Sequence, residues 1–257
     1  SANLCFELSL TFYNGFLPEL VDEDDYNRVS ALGYGWGYVG GGIALAIVLG
    51  LFVYGPTWGL SDREEQLQWG LRIMGLWWGV FTLPAFIFLR DRGTAQRFYV
   101  SVSKTAKHSW NEVYGTVRRV QSYKMLALFL LAFLWYNHVI QAVLSQSSTF
   151  ALQELSFSEE GLVKVILMIQ FAALPGALVV GWLADRYGQK QILIYCLAIW
   201  ITLLFAAYFV TSQAMFWLLG ACVAMVMGGT QSVSRAIMGV MTPEEQSAKF
   251  FGFYNLS

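Results

Sequence analysis

A handful of polar side chains fall inside stretches of this chain apolar enough to cross a bilayer, and these are the residues whose chemistry needs explaining. Asn137 and Gln141 are four apart and share one face of a helix, while His138 precedes Gln141 by three. Gln170 stands in another apolar stretch, and Glu7, Tyr13 and Asn14 stand in the opening one. Gln231, Ser232, Ser234 and Arg235 close a further segment. Uncharged polar groups at membrane depth hold a solute or one another. Glu7, the one acid within a candidate span, and His138, an imidazole type that ordinarily titrates near neutral pH, are candidates for proton coupling. His138 has a second reading, as a neutral ring bonded to a neighbouring helix, and Glu7 has one at an interface. Arg235 must be paired or must reach the surface.

Nothing points to enzyme chemistry. The chain has no H-E-x-x-H, G-x-S-x-G or phosphate-binding glycine loop. Cys5, Cys196 and Cys222 are far apart and lack metal-ligand spacing. No catalytic residue, metal or cofactor is therefore expected.

Stepping outward from these residues, the elements that carry them read as membrane spans. The chain is 56% hydrophobic and 13% charged, with a mean hydropathy of +0.51. A soluble domain would carry about 25% charged residues. A net charge of -1 excludes a basic field for nucleic acid. Crossing a bilayer takes about 20 mainly apolar residues. Candidates are Leu32–Tyr54, Leu71–Leu89, Met125–Leu144, Leu162–Ala184, Gln191–Val210 and Ala214–Met238. Ala2 to Leu17 and the stretch from Phe250 onward read as partial spans. Gly33, Gly37 and Gly41 keep a small-xxx-small rhythm suited to close helix packing. Trp58, Trp69, Trp77 and Trp78 suit an interfacial belt.

Loop charge orients the spans. Arg28, then the stretch from Arg90 to Lys124, then Arg186 with Lys190, then Lys249 form one set. The alternate loops hold Asp62, Glu64 and Glu65 around Arg63, and then Glu154, Glu159 and Glu160. Basic loops favour the cytoplasm, so the first set faces inward. Within the long connection, Phe98, Val102, Ala106, Trp110, Val113, Val117 and Val120 recur at helical spacing opposite Arg97, Lys104, Lys107, Arg118 and Arg119. That pattern predicts an amphipathic helix on the inner leaflet. Three regions follow: residues 1–92, a cytoplasmic linker over 93–122, and residues 123–257.

Between two of these spans the chain reads Gly181-Trp182-Leu183-Ala184-Asp185-Arg186-Tyr187-Gly188-Gln189-Lys190. Gly181, Leu183, Asp185, Arg186, Gly188 and Lys190 match G-x-L-x-D-R-x-G-x-K, so the segment resembles the signature loop of the major facilitator superfamily. The resemblance implies an all-α polytopic membrane bundle built from two halves. In that fold the long cytoplasmic connection joins spans six and seven, so the chain reads as an internal stretch from span four to the start of span eleven. Acidic caps at Val21–Arg28 and Thr242–Lys249, each ahead of a small and aromatic helix start, echo one another across the two halves.

Gly228-Gly229-Thr230-Gln231-Ser232-Val233-Ser234-Arg235, the Thr242-Pro243-Glu244-Glu245 cap and Phe12-Tyr13-Asn14-Gly15-Phe16 resemble the autophagy-related vacuolar effluxer branch and its bacterial relatives. That resemblance covers the whole chain. It implies a secondary transporter moving a small solute, amino-acid efflux being the activity associated with fungal members. The bilayer, the solute and protons are the partners, the oligomeric state expected is a monomer, and the membrane is plasma in bacteria or vacuolar in fungi. The chain departs from the branch at Tyr136-Asn137-His138-Val139, where an aspartate-glycine is usual. A non-transporting receptor or scaffold on the same fold is the alternative. In the signature loop Gly181, Asp185, Arg186, Gly188 and Lys190 are implied to form an inner gate, with Arg235 as the expected partner of Asp185 and the helix start near Phe250 beside them. The loop assignment predicts that a cysteine at Ser158 is modified from outside intact cells while one at Ser122 is spared. The reverse labelling would overturn the topology.

Overall fold

A computed structural model describes the backbone of residues 2–88, 124–242 and 247–255 and the side chains of residues 9–88, 124–242 and 250–255. Among these residues six helices are long and apolar enough to cross a membrane. In chain order they are α3 (Tyr26–Tyr54), α4 (Arg63–Phe88), α5 (Lys124–Gln153), α6 (Glu159–Tyr187), α7 (Gln189–Ala207) and α8 (Gln213–Met241). Shorter helices are α1 (Ala2–Gly15), α2 (Leu17–Leu20) and α9 (Ser247–Asn255). All six expected spans are present. Most extend beyond the apolar runs because polar turns cap them: Ser158 Oγ accepts from Gly161 N at 3.0 Å and opens α6 three residues before Leu162. A 29-residue helix such as α6 is about 43 Å long, so its ends project beyond a hydrocarbon layer of about 30 Å. The 93–122 linker lies outside the described residues.

The helices assemble around α6, which packs lengthwise against α8 on one side and α3 on the other. Small residues make this possible, because lipid-embedded helices gain cohesion from close backbone approach rather than from hydrophobic exclusion of water. Ala173 and Ala177 of α6 and Ala224 of α8 are all fully buried. α7 lies on α8, α4 packs mainly on α3, and α1 pairs with α9. The rhythm at Gly33, Gly37 and Gly41 is used only in part. Gly33 meets Arg235 and Tyr13, Gly41 meets Gln170, and Gly37 has nothing near it. The tryptophan belt needs a similar correction. Trp77 and Trp78 sit about 21 Å along α4 from its first residue, at mid-helix rather than at an interface.

Two glycines of the signature loop have clear physical roles. Gly188 joins α6 to α7 at φ 94°, in backbone space that side chains rarely enter, while its N–H closes α6 on Ala184 O at 2.9 Å. A methyl group at Gly181 would lie 2.8 Å from Ala31 Cβ, so this glycine sets how closely α6 approaches α3. Gly188→Ala should destabilise the protein by about 1–3 kcal/mol, the cost of forcing a side chain into that conformation. Thermal unfolding of the detergent-solubilised protein would read this as a lowered midpoint, and an unchanged midpoint would show that the turn relaxes freely.

Candidate functional site

Polar side chains converge at the end of the bundle that loop charge assigns to the cytoplasm. There the C-terminal turns of α1, α6 and α8 meet the N-terminal turns of α3 and α7 and the last turn of α9. Asn27, Ser30, Tyr34 and Tyr38 of α3 are spaced three, four and four apart, so they form one stripe. That stripe faces Asp185, Gln189, Gln231, Ser232 and Arg235 across the seam.

Asn27, 6% exposed, uses both ends of its amide: Nδ2 donates to Asp185 Oδ1 at 2.8 Å and Oδ1 accepts from Gln189 Nε2 at 3.0 Å. One turn deeper, Ser30 Oγ donates to the Ser232 carbonyl at 2.7 Å and accepts from Arg235 Nε at 2.9 Å. Arg235 also donates to Ser30 O at 2.8 Å and, more weakly, to Asn14 Oδ1 at 3.4 Å. Its guanidinium lies 4.5 Å from the ring centre of Tyr34 and 5.3 Å from that of Tyr13. Deeper still, the Tyr38 hydroxyl donates to Gln231 Oε1. On the α1 side, Asn14 Nδ2 donates to Asn255 Oδ1 at 2.9 Å, and Asn255 Nδ2 donates to Thr11 Oγ1 at 3.1 Å. Ser234 faces away from this seam, sharing a hydrogen bond of 2.7 Å with the Tyr136 hydroxyl of α5.

At the opposite end one ion pair joins α4 to α6: Arg63 Nη2 donates to Glu159 Oε2 at 2.8 Å. The two side chains are 52% and 77% exposed. Exposed pairs of this kind contribute about 0–1 kcal/mol. Breaking a buried hydrogen bond so that its partner is left dry costs about 1–3 kcal/mol. The Ser30–Arg235 bonds between α3 and α8 are therefore individually costlier to break than the Arg63–Glu159 pair between α4 and α6.

The expected pairing of Asp185 with Arg235 is corrected here. Asp185 bonds Asn27 instead, because α6 runs along α3 and brings its last turn to the α3 N-terminus. Arg235 points from α8 toward α1 and α3. The helix start beside Asp185 is likewise that of α3 rather than α9, which packs on α1. This is the same kind of acid-capped helix start, in the other half of the internal echo. Arg186, Gly188 and Lys190 are exposed, and Arg186 sits over the rings of Trp182 and Tyr187 on its own helix.

Among the solute or proton candidates, Asn14 is buried in the seam and Gln170 lies against Gly41 of α3. Asn137 is half-buried, whereas His138 and Gln141 are exposed on α5. The Glu7 side chain lies outside the described residues. Asn27, Ser30, Tyr34, Tyr38 and Gln189 were not anticipated. The three-four-four stripe on α3 was the available signal.

Six spanning helices, a glycine-hinged charged turn and a polar seam at one end define a polytopic membrane protein of the facilitator type. Residues 2–257 match the family described as "Vacuole effluxer Atg22 like", and the chain belongs to that family. It is 30% identical over 248 residues to the "Uncharacterized MFS-type transporter YxiO" of Bacillus subtilis, covering 95% of this chain and 56% of that protein. It is 26% identical to "Autophagy-related protein 22-1" of Penicillium rubens and 28% identical to the protein of that name from Neosartorya fischeri. Each match covers 90% of this chain and 41% of the relative. The chain thus spans about half the length of these relatives. No solved structure matches it.

Ser30→Ala would leave Arg235 Nε without its acceptor inside the seam, at about 1–3 kcal/mol against the closed state. In the full-length protein with spin labels at positions 28 and 190, the distance distribution should gain a longer component. Arg63→Ala should leave it unchanged. Identical distributions in all three proteins would show that the Ser30 hydroxyl does not hold this end closed.

Proposed function

We propose that the full-length protein is a secondary transporter that carries a small solute across its membrane by alternating access. The observation that supports this best is the contrast between the two ends of the bundle. Buried polar bonds join α3 to α8 at the inner end, whereas the side-chain bond between α4 and α6 at the outer end is an exposed ion pair. A bundle that must expose one site to each side in turn needs such unequal, separately breakable closures. The conformation described is then the inward-closed one. The relatives named as an effluxer family and as an MFS-type transporter support the same reading. Efflux of amino acids is the substrate reading carried by the family resemblance. Among the described residues no polar cluster forms a nucleophile-and-base arrangement, which favours transport over catalysis.

Within this cycle Asp185 is the charged member of the inner closure, through Asn27 and Gln189. His138, exposed on α5 beside Asn137 and Gln141, is the candidate proton-coupling group. Gln170, Asn14 and Glu7 are further candidates for solute or proton contact. A receptor or scaffold on the same fold would move nothing, which makes flux the deciding measurement.

Full-length protein in proteoliposomes should release or accumulate at least one component of a radiolabelled amino-acid mixture. Asp185→Asn keeps the side-chain shape and removes the charge, so turnover should fall several-fold while half-saturation changes little. His138→Gln should flatten the pH dependence of flux. Absence of flux for every solute tested would overturn the transporter reading, and an unaltered pH profile would remove His138 from the coupling step.

A further inference from the structure

The positive charge of Arg235 is not neutralised by anything the transport reading uses. The residue is 3% exposed. Its acceptors, Ser30 Oγ, Ser30 O and Asn14 Oδ1, are all neutral, and its ring contacts are Tyr34 and Tyr13. Among the described residues no carboxylate lies within ion-pair distance of it. A guanidinium has five N–H groups, and the acceptors named here engage three of them. Carrying a full charge out of water on dipoles and ring faces alone is costly, and an anion is the partner that would offset the cost.

The same guanidinium borders a cavity of about 220 Å³ between α1, α2 and α3. Leu20, Val29, Leu32 and Trp36 line most of it. At Gly33 a methyl group would lie 2.8 Å from both Arg235 Nη2 and the Tyr13 hydroxyl oxygen. Two donors therefore approach the same bare stretch of α3 backbone, at one edge of an otherwise apolar space. No acidic side chain lines that space among the described residues. The site has a cationic donor pair for one head and apolar walls for a body.

We infer that this cavity binds a small amphipathic acid, its carboxylate on the Arg235 guanidinium and the Tyr13 hydroxyl and its apolar part against Leu20, Leu32 and Trp36. As a statement of substrate class this rests on the transporter reading, whereas binding itself does not. A carboxylate is a stronger acceptor for a guanidinium than a hydroxyl or an amide. An acid bound there competes with Ser30 and Asn14 for Arg235 and loosens the bonds joining α8 to α1 and α3. Occupancy of the site and release of the inner closure are then a single event.

Calorimetric titration of the full-length protein in phosphatidylcholine nanodiscs tests this with 4-methylpentanoate and its neutral isostere 4-methylpentanamide. The acid should bind at least about tenfold more tightly than the amide, a difference of about 1.4 kcal/mol. Arg235→Gln should abolish that preference. Because Arg235 also supports the seam, Leu20→Trp provides a second variant, filling the cavity from its exposed rim without touching the guanidinium; it should weaken acid binding at least about tenfold. Equal affinity for acid and amide, or undiminished binding to Leu20→Trp, would overturn the proposal. So would acid binding lost in both variants but matched in the wild type by anionic lipid alone, since the anion would then be a lipid phosphate. Flux in proteoliposomes separates the two readings: transport without acid binding removes the site and leaves the transporter, and acid binding without transport does the reverse.

Discussion

A buried guanidinium must find acceptors in fixed directions, and much of the inner end of this protein follows from that requirement. Arg235 sits on α8, yet its acceptors belong to α1 and α3. Apolar helices in lipid can slide and rotate against one another at little cost, because every face is equally content in hydrocarbon. A charge that reaches Ser30 and Asn14 together removes that freedom. Ser30 then transmits the constraint, since its one hydroxyl serves both Arg235 and the Ser232 carbonyl.

Around this centre the other bonds form an ordered series from the water interface inward. Asp185, Asn27 and Gln189 stand outermost, where a carboxylate is still solvated on one side. The Ser30–Arg235 group lies one turn deeper, and Tyr38 with Gln231 another two turns in. Within this series Asp185 is exposed, whereas Arg235 is buried. A buried arginine with no counter-ion among the described residues is a costly arrangement in a membrane helix. At the opposite end the side-chain bond between α4 and α6 is the solvent-exposed pair of Arg63 and Glu159, while Gln213 of α8 donates to Leu155 O and Ser156 O above a buried apolar cluster that includes Phe157 and Phe216.

The spans and their order were legible in the chain because each depends on local properties. A bilayer demands a stretch of apolar residues of set length, and loop charge sets direction. All six spans appear where hydropathy places them, lengthened by caps such as Ser158. The signature turn was legible for a similar reason: Gly188 needs its backbone conformation whatever the rest of the bundle does. Tryptophans were read less well. Trp77 and Trp78 fit an interfacial belt by type, but their distance along α4 places them at mid-depth.

Which polar side chains meet was decided by the tertiary structure. Asp185 and Arg235 looked complementary as charges on the same side of the membrane, but α6 runs along α3, and the acid meets Asn27 instead. The partners lie 158 positions apart in the chain, and only the packing of α6 against α3 brings them together. The stripe of Asn27, Ser30, Tyr34 and Tyr38 could be seen in the sequence as a periodicity, yet its destination could not. Hydropathy records how a residue fares in water or lipid, and hydrogen bonds between helices depend on rotation and register, which small residues such as Ala173, Ala177 and Gly181 set through close contact. The chain by itself determined that these helices exist and in what order; their contacts determined that a buried arginine, rather than the signature aspartate, sits at the centre of the polar seam.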